Sequence, residues 1–244
     1  MNITLACYSL PNDLAAAQAW EDASEWVARI ANTHPDFETW WTVPRGPRDD
    51  AIPLAQREKV VAHIQKANTQ LDQEFPGSIG EGSASIHLTN AATDAEWAKR
   101  GKVSLAIHPG SGILRLRLGR IQELYPTPTT LVWSLLQGLT SNSRVTFAQT
   151  NVLQKVAGSI MTYSGDRRVF RHREYLGWMG YVDAPLAADQ LPQAARLERH
   201  GRGTLILATE ALGLGDRVAV EQANRTEIGL AELGLLPVTD SRLM

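Results

Sequence analysis

The stretch that most constrains the fold is Val169–Val182, VFRHREYLGWMGYV. Its second half joins strand-forming aromatics to a valine and interrupts them with Gly177 and Gly180. Glycine weakens a strand interior, so two of them in one aromatic strand point to close approach by another backbone or to a bulge. Trp178 and Tyr181 stand three apart, which sends them to opposite faces of a flat strand. A tryptophan on the buried face supplies a large part of the core contact area. Upstream, Arg167, Arg168, Arg171 and Arg173 crowd together with only Asp166 and Glu174 to balance them. An exposed polar arm therefore leads into a buried aromatic strand, and the arrangement is not catalytic on its face.

The remaining elements follow from periodicity. Ile3–Leu10 reads as a buried strand ended by Pro11-Asn12-Asp13, with Asn12 or Asp13 placed to cap the next helix. In that helix Trp20, Ala23, Val27 and Ile30 form one apolar stripe, and Glu25 and Arg29 are spaced for a surface ion pair. His34-Pro35 ends it. Phe37–Val43 is rich in β-formers and reads as a strand with Trp40 and Trp41 on opposite faces. Leu54–Phe75 repeats the amphipathic pattern through Val60, Ile64, Ala67, Leu71 and Phe75, stopped by Pro76-Gly77. Three strand candidates follow, Ala84–Leu88, Val103–Ile107 and Ile113–Leu118, with Trp97 in a polar excursion between the first two. In the third, Leu114, Leu116 and Leu118 face inward while Arg115 and Arg117 face out, as in a half-solvated antiparallel strand.

A helix begins at Thr127-Pro128, and Val145–Gln149 is a strand. Asn151–Tyr163 fits either a short helix or irregular structure, and Ala187–His200 reads as polar or weakly helical. Gly203–Thr209 is a buried strand, and Asp216 caps a final helix that runs to about Leu233. With no repeat, low-complexity tract or clear linker, the expected fold is a single α+β domain over 1–244. It has a mixed, largely antiparallel sheet packed with about four amphipathic helices.

The formal net charge of -2 provides no global attraction to nucleic acid or anionic lipid. No window approaches the roughly 20 apolar residues of a membrane span, and the N-terminus lacks the basic region of a secretory signal. A lone cysteine, Cys7 in the first strand, excludes an intramolecular disulfide framework and fits a reducing, cytoplasmic compartment. It reads as an inert small hydrophobe.

No catalytic constellation is legible. The histidines at 34, 63, 87, 108, 172 and 200 lack metal-ligand spacing, and His87 and His108 fall at predicted strand ends. Gly80-Glu81-Gly82 and Gly110-Ser111-Gly112 lack the lysine and hydroxyl residue of a phosphate-binding loop, and the second is better explained as a hairpin turn. Asp49 and Asp50 need ligands from elsewhere to hold a metal, so a solvated loop is the default. The arginine cluster can meet phosphates or an acidic protein surface, and its acidic neighbours and the net acidic chain favour a partner-facing or merely solvated strand end over nucleic-acid binding. No cofactor is expected.

Three runs in order, Asn32-Thr33-His34-Pro35-Asp36-Phe37-Glu38-Thr39-Trp40-Trp41, then Val169-Phe170, then Gly177-Trp178-Met179-Gly180-Tyr181, resemble the Immunity protein 52 family of bacterial polymorphic toxin systems. Gly203–Leu207, Ala223-Asn224 and Ile228 through Leu235-Leu236-Pro237 continue the likeness, which spans most of the chain. The chain departs from the family at Arg171–Leu176, where a proline-rich turn is usual, and at Gly180, where a large apolar residue is.

The resemblance implies a cytoplasmic protein, not an enzyme, that neutralises a cognate nuclease toxin delivered by type VI secretion. It acts by stoichiometric protein–protein binding, with no direct contact to nucleic acid or membrane. Basic nuclease clefts favour carboxylates as the plug, which nominates Asp36, Glu38, Asp49, Asp50 and Glu81 beside Trp41. The rival surface is the arm, with Arg171, Arg173 and Tyr175 as anchors. Two other classes stand beside this one: a small hydrolase or nucleotide-binding enzyme with a site assembled from distant residues, and a structural adaptor of a secretion apparatus.

Overall fold

The computed structural model describes residues 1–44, 46, 49–74, 84–211, 213–240 and 242. The architecture is α+β with largely antiparallel strand pairing. The chain from 1 to 244 comprises two compact units, a C-terminal unit (Met1–Cys7 with Arg120–Met244) and an N-terminal unit (Tyr8–Gly119).

The first strand, β1 (Asn2–Ser9), buries Ile3, Leu5 and Cys7. Burial pushes the Cys7 thiol up to about 12, which keeps it protonated and unreactive. In the N-terminal unit, α1 (Ala16–Ala31) starts later than Asn12 or Asp13 would place it. Its N-cap is Ala15, whose N–H donates to Gln18 Oε1 at 3.1 Å, so a side chain from inside the helix replaces the expected aspartate or asparagine cap. Ala23, Val27 and Ile30 are buried as the stripe requires, and Trp26 joins them with its indole N–H on Asp22 Oδ2 at 3.1 Å. Arg29 and Glu25 form the expected pair at 2.6 Å.

The strand expected over Phe37–Val43 is shorter. Pro35–Phe37 forms a single 3-10 turn, and only Trp41–Thr42 pairs as β2. Proline at the start of the turn presets its backbone, and His34 Nδ1 accepts from the Asp36 N–H at 3.2 Å. Phe37 and Trp40 then stack in the core with ring centres 6.5 Å apart. The next helix, α2 (Arg57–Glu74), begins three residues after the expected Leu54, because Ile52 and Leu54 are zipped to β2. Thr42 N–H donates to Ile52 O at 2.9 Å and Leu54 N–H to Trp40 O at 2.8 Å. Val60, Ile64 and Ala67 are buried, whereas Leu71 is 43% exposed; Phe75 lies outside the described residues.

β3 (Ile86–Thr89), the short α3 (Asp94–Lys99), β4 (Ser104–His108) and β5 (Ile113–Leu118) complete this unit. The strand order is β2-β3-β4-β5, antiparallel at each step. A tight turn at Pro109–Ser111, closed by Gly112 at φ 65°, joins β4 to β5 as the hairpin reading expects. Ile86, Leu88, Leu105, Ile107, Leu114 and Leu116 share the buried face of the sheet.

The C-terminal unit holds α4 (Ile121–Leu124), α5 (Pro128–Thr140), β6 (Val145–Val156), β7 (Ser159–Thr162), β8 (Met179–Val182), β9 (Arg196–His200), β10 (Gly203–Leu207) and α6 (Arg217–Glu232). The segment that fitted either helix or irregular structure is a hairpin of β6 and β7. Ala157 and Gly158, at φ 48° and 89°, make its two-residue turn. Ala187–His200 contributes β9 instead of a helix, because Arg196–His200 pairs with β10 from Leu207↔Arg196 to Gly203↔His200. Asp216 caps α6 as expected, its Oδ1 accepting from Val218 N–H and Ala219 N–H.

Candidate functional site

Two places in the molecule concentrate polar chemistry, one in each unit. The first is buried. Glu227, on α6, is fully enclosed, and its carboxylate takes the ends of the glycine-interrupted stretch. Oε1 accepts from Leu176 N–H at 3.0 Å and Gly177 N–H at 3.2 Å, and Oε2 accepts from Val169 N–H at 3.3 Å. The Tyr163 hydroxyl beside it donates to Asn224 Oδ1 at 2.9 Å. Gly177 sits at φ 73°, where a Cβ would lie 1.9 Å from Thr150 O, and a Cβ on Gly180 would lie 2.3 Å from Ala148 O. These are the close backbone approaches that the two glycines signalled. Trp178 is buried with its indole N–H on Thr209 O at 3.0 Å.

This cluster is a structural frame and makes no reagent accessible to a substrate. Burial raises the Glu227 carboxyl pKa against the opposing pull of its backbone donors. The folded protein therefore holds this proton at a pH where the unfolded chain has released it. Stability falls as pH rises from about 4.5 through the raised folded value. Urea midpoints measured across that range for the native chain and for Glu227→Gln should show this downward slope only in the native chain.

The second place is the open face of the N-terminal sheet. The register aligns His87, Ala106 and Arg115 across three strands, and Thr89, Ser104 and Arg117 in the next row. Because alternate residues point the same way, His108 shares this face. The His87 and His108 rings meet edge to face at 5.1 Å. His108 Nδ1 lies 3.0 Å from Ser85 Oγ. A pocket of about 360 Å³ sits on this face, lined by the two histidines, both arginines, Trp97 and Asp94 among others. Desolvation, then the charges of His87 and Arg115, lower the His108 pKa. Among the described residues neither Arg115 nor Arg117 has an ion-pair partner. No three of His, Cys, Asp and Glu converge to hold a metal among the described residues.

The residues nominated from sequence fall in separate places. Asp36 is half-buried in the turn after α1, with its carboxylate 3.5 Å from His34 Nδ1, and Glu38 is exposed. Trp41 is half-buried on β2, opposite Thr89, while Trp40 is the one in the core. Asp49 and Asp50 line a separate hollow with Lys59, His63 and Lys66 of α2. Glu81 lies outside the described residues. In the C-terminal unit Arg171 is exposed. Arg173 Nη1 donates to Leu236 O at 3.0 Å, and burial raises the Tyr175 hydroxyl pKa as its ring packs 6.0 Å from Tyr163. Two of the three arm residues thus serve internal contacts.

Sequence reasoning did not group His87 and His108 with Arg115 and Arg117. The Leu-Arg alternation of β5 placed the arginines on the open face, but histidines 21 positions apart are joined only by strand register.

No family model matches the chain. No curated protein matches it either. Among solved structures, a Pseudomonas aeruginosa T6SS protein is similar over 93% of this chain and 72% of its own length, with 12% sequence identity and a TM-score of 0.46. No described helix is long and apolar enough to cross a membrane.

Proposed function

We propose that this chain is an immunity protein of a type VI secretion toxin system, which binds a cognate nuclease toxin and neutralises it stoichiometrically. The observation that carries the reading is where the runs that resemble the Immunity protein 52 family lie. Val169, Gly177-Trp178-Met179-Gly180-Tyr181, Gly203–Leu207 and Asn224 converge on the buried frame around Glu227. Leu236 is buried and its carbonyl accepts from Arg173. In the C-terminal unit the runs that resemble the family are therefore scaffold, whereas the Asn32–Trp41 run also carries the exposed Glu38, and what is left to vary is charged surface carried on regular strands. That division suits a protein whose partner differs from one system to the next. Protection against a potent toxin needs tight binding, and nanomolar affinity corresponds to about -12 kcal/mol.

Co-expression with the nuclease domain encoded by the adjacent gene tests this reading. Cells should survive only with this chain present, and the two proteins should co-purify. Asp50 is exposed and Asp49 half-buried, so Asp49→Lys with Asp50→Lys should weaken that complex on the order of tenfold while leaving the fold intact. Unchanged affinity removes the loop from the interface.

The 3.0 Å contact of Ser85 Oγ with His108 Nδ1 favours a second reading, as a small hydrolase. Ester or phosphoester turnover by the purified chain, abolished by His108→Ala, decides for the enzyme.

A further inference from the structure

The geometry points to the open sheet face of the N-terminal unit as a docking surface for the carboxylates of an acidic protein surface, with Arg115 and Arg117 as its anchors. This inference rests on the toxin-binding reading and deepens it by naming the chemistry that the partner presents. Arg115 and Arg117 are two residues apart on β5, so both guanidinium groups leave the same face from one rigid strand. Neither spends its charge on an ion pair within the described residues. His87 and His108 extend the face across β3 and β4 as imidazole rings that can hydrogen-bond to a carboxylate. Desolvation, then His87 and Arg115, lower the His108 pKa, so the two guanidinium groups are the fixed positive charges of this face.

The face is long. The register places His108 four residues along β4 from the Ser104 that faces Arg117, a separation of about 13 Å at strand rise. Groups so spread match a row of separate carboxylates better than one small anion. Each guanidinium can take its own carboxylate through paired N–H donors. The pocket also has apolar walls, Val43, Pro44 and Trp97, which suit the aliphatic stems of protein side chains.

A nucleic-acid backbone fits less well. Asp94 lines the same pocket, where a continuous phosphate backbone has to pass it and separately placed carboxylates do not. The neighbouring hollow is mixed, with Asp49 and Asp50 beside Lys59, His63 and Lys66, so a partner that spans both presents carboxylates to the sheet and groups of both signs to the hollow. Such mixed complementarity rejects wrong partners as well as attracting the right one.

The experiment is the double reversal Arg115→Glu with Arg117→Glu, measured against the adjacent-gene toxin domain by calorimetric titration. The expected result is a Kd weakened on the order of a hundredfold, a far-UV spectrum and melting temperature like those of the native chain, and native affinity that falls as salt rises. Native affinity in the reversed variant, with the native complex intact, overturns the proposal while sparing the toxin-binding reading. Failure of the native chain to bind at all sinks that reading and the proposal with it. A native chain that binds a single- or double-stranded oligonucleotide, with binding lost in the double reversal, assigns the face to nucleic acid and overturns the proposal as well.

Discussion

Glu227→Ala is expected to destabilise this protein by on the order of 4 kcal/mol, because it orphans the buried N–H groups of Leu176 and Gly177, each costing about 1–3 kcal/mol unsatisfied, and the half-buried N–H of Val169. The side chain is fully enclosed, so water does not replace it at low cost. At this chain length the loss corresponds to a fall in melting temperature of roughly 10 °C. Glu227→Gln keeps a carbonyl oxygen for two donors but turns an N–H₂ group toward one, so it should lose about half as much. Thermal melts of the three proteins at one pH test the ordering. An alanine variant that melts within 2 °C or so of the native chain would show that Glu227 is not what holds the stretch in place.

Gly177→Ala is expected to be as damaging by a different route. The backbone there has φ 73°, and the added methyl would sit 1.9 Å from Thr150 O, a backbone atom that cannot rotate away. Thr150 is itself pinned, its N–H donating to Leu176 O at 3.0 Å and its hydroxyl to Met179 O at 2.7 Å. Relief requires β6 and the Leu176–Gly177 segment to separate, which breaks those bonds and the pair that Glu227 receives. A loss of at least about 3 kcal/mol follows from the clash and the positive φ together. Gly158→Ala provides the control: it also has positive φ, at 89°, but nothing lies within 4 Å of its added methyl. It should cost only about 1 kcal/mol, the conformational part alone. Equal melting temperatures for the Gly177 and Gly158 variants would remove the steric argument. Gly177→Ala combined with Glu227→Ala should lose less than the sum, since both act on the same hydrogen bonds.

The sequence alone determined the elements whose signal is local and periodic. The α1 stripe and its Glu25–Arg29 pair, the Leu-Arg alternation of β5, the turn at Gly110–Gly112 and the Asp216 cap all depend on residues close in the chain, whereas Gly177 and Gly180 signalled a close approach whose partners, Thr150 and Ala148, only the fold supplies. Short-range sterics and hydrogen bonding specify the former without reference to the rest of the molecule. Misreadings came where a distant partner prevailed over local propensity. Ile52 and Leu54 pair with β2 instead of starting α2, and Arg196–His200 is held extended by β10. Only tertiary structure decided that Glu227 closes the frame across 50 positions from Gly177, and that His87, His108, Arg115 and Arg117 share one open face. Register and helix packing are set by the burial of all faces at once, and no window of neighbouring residues contains that information.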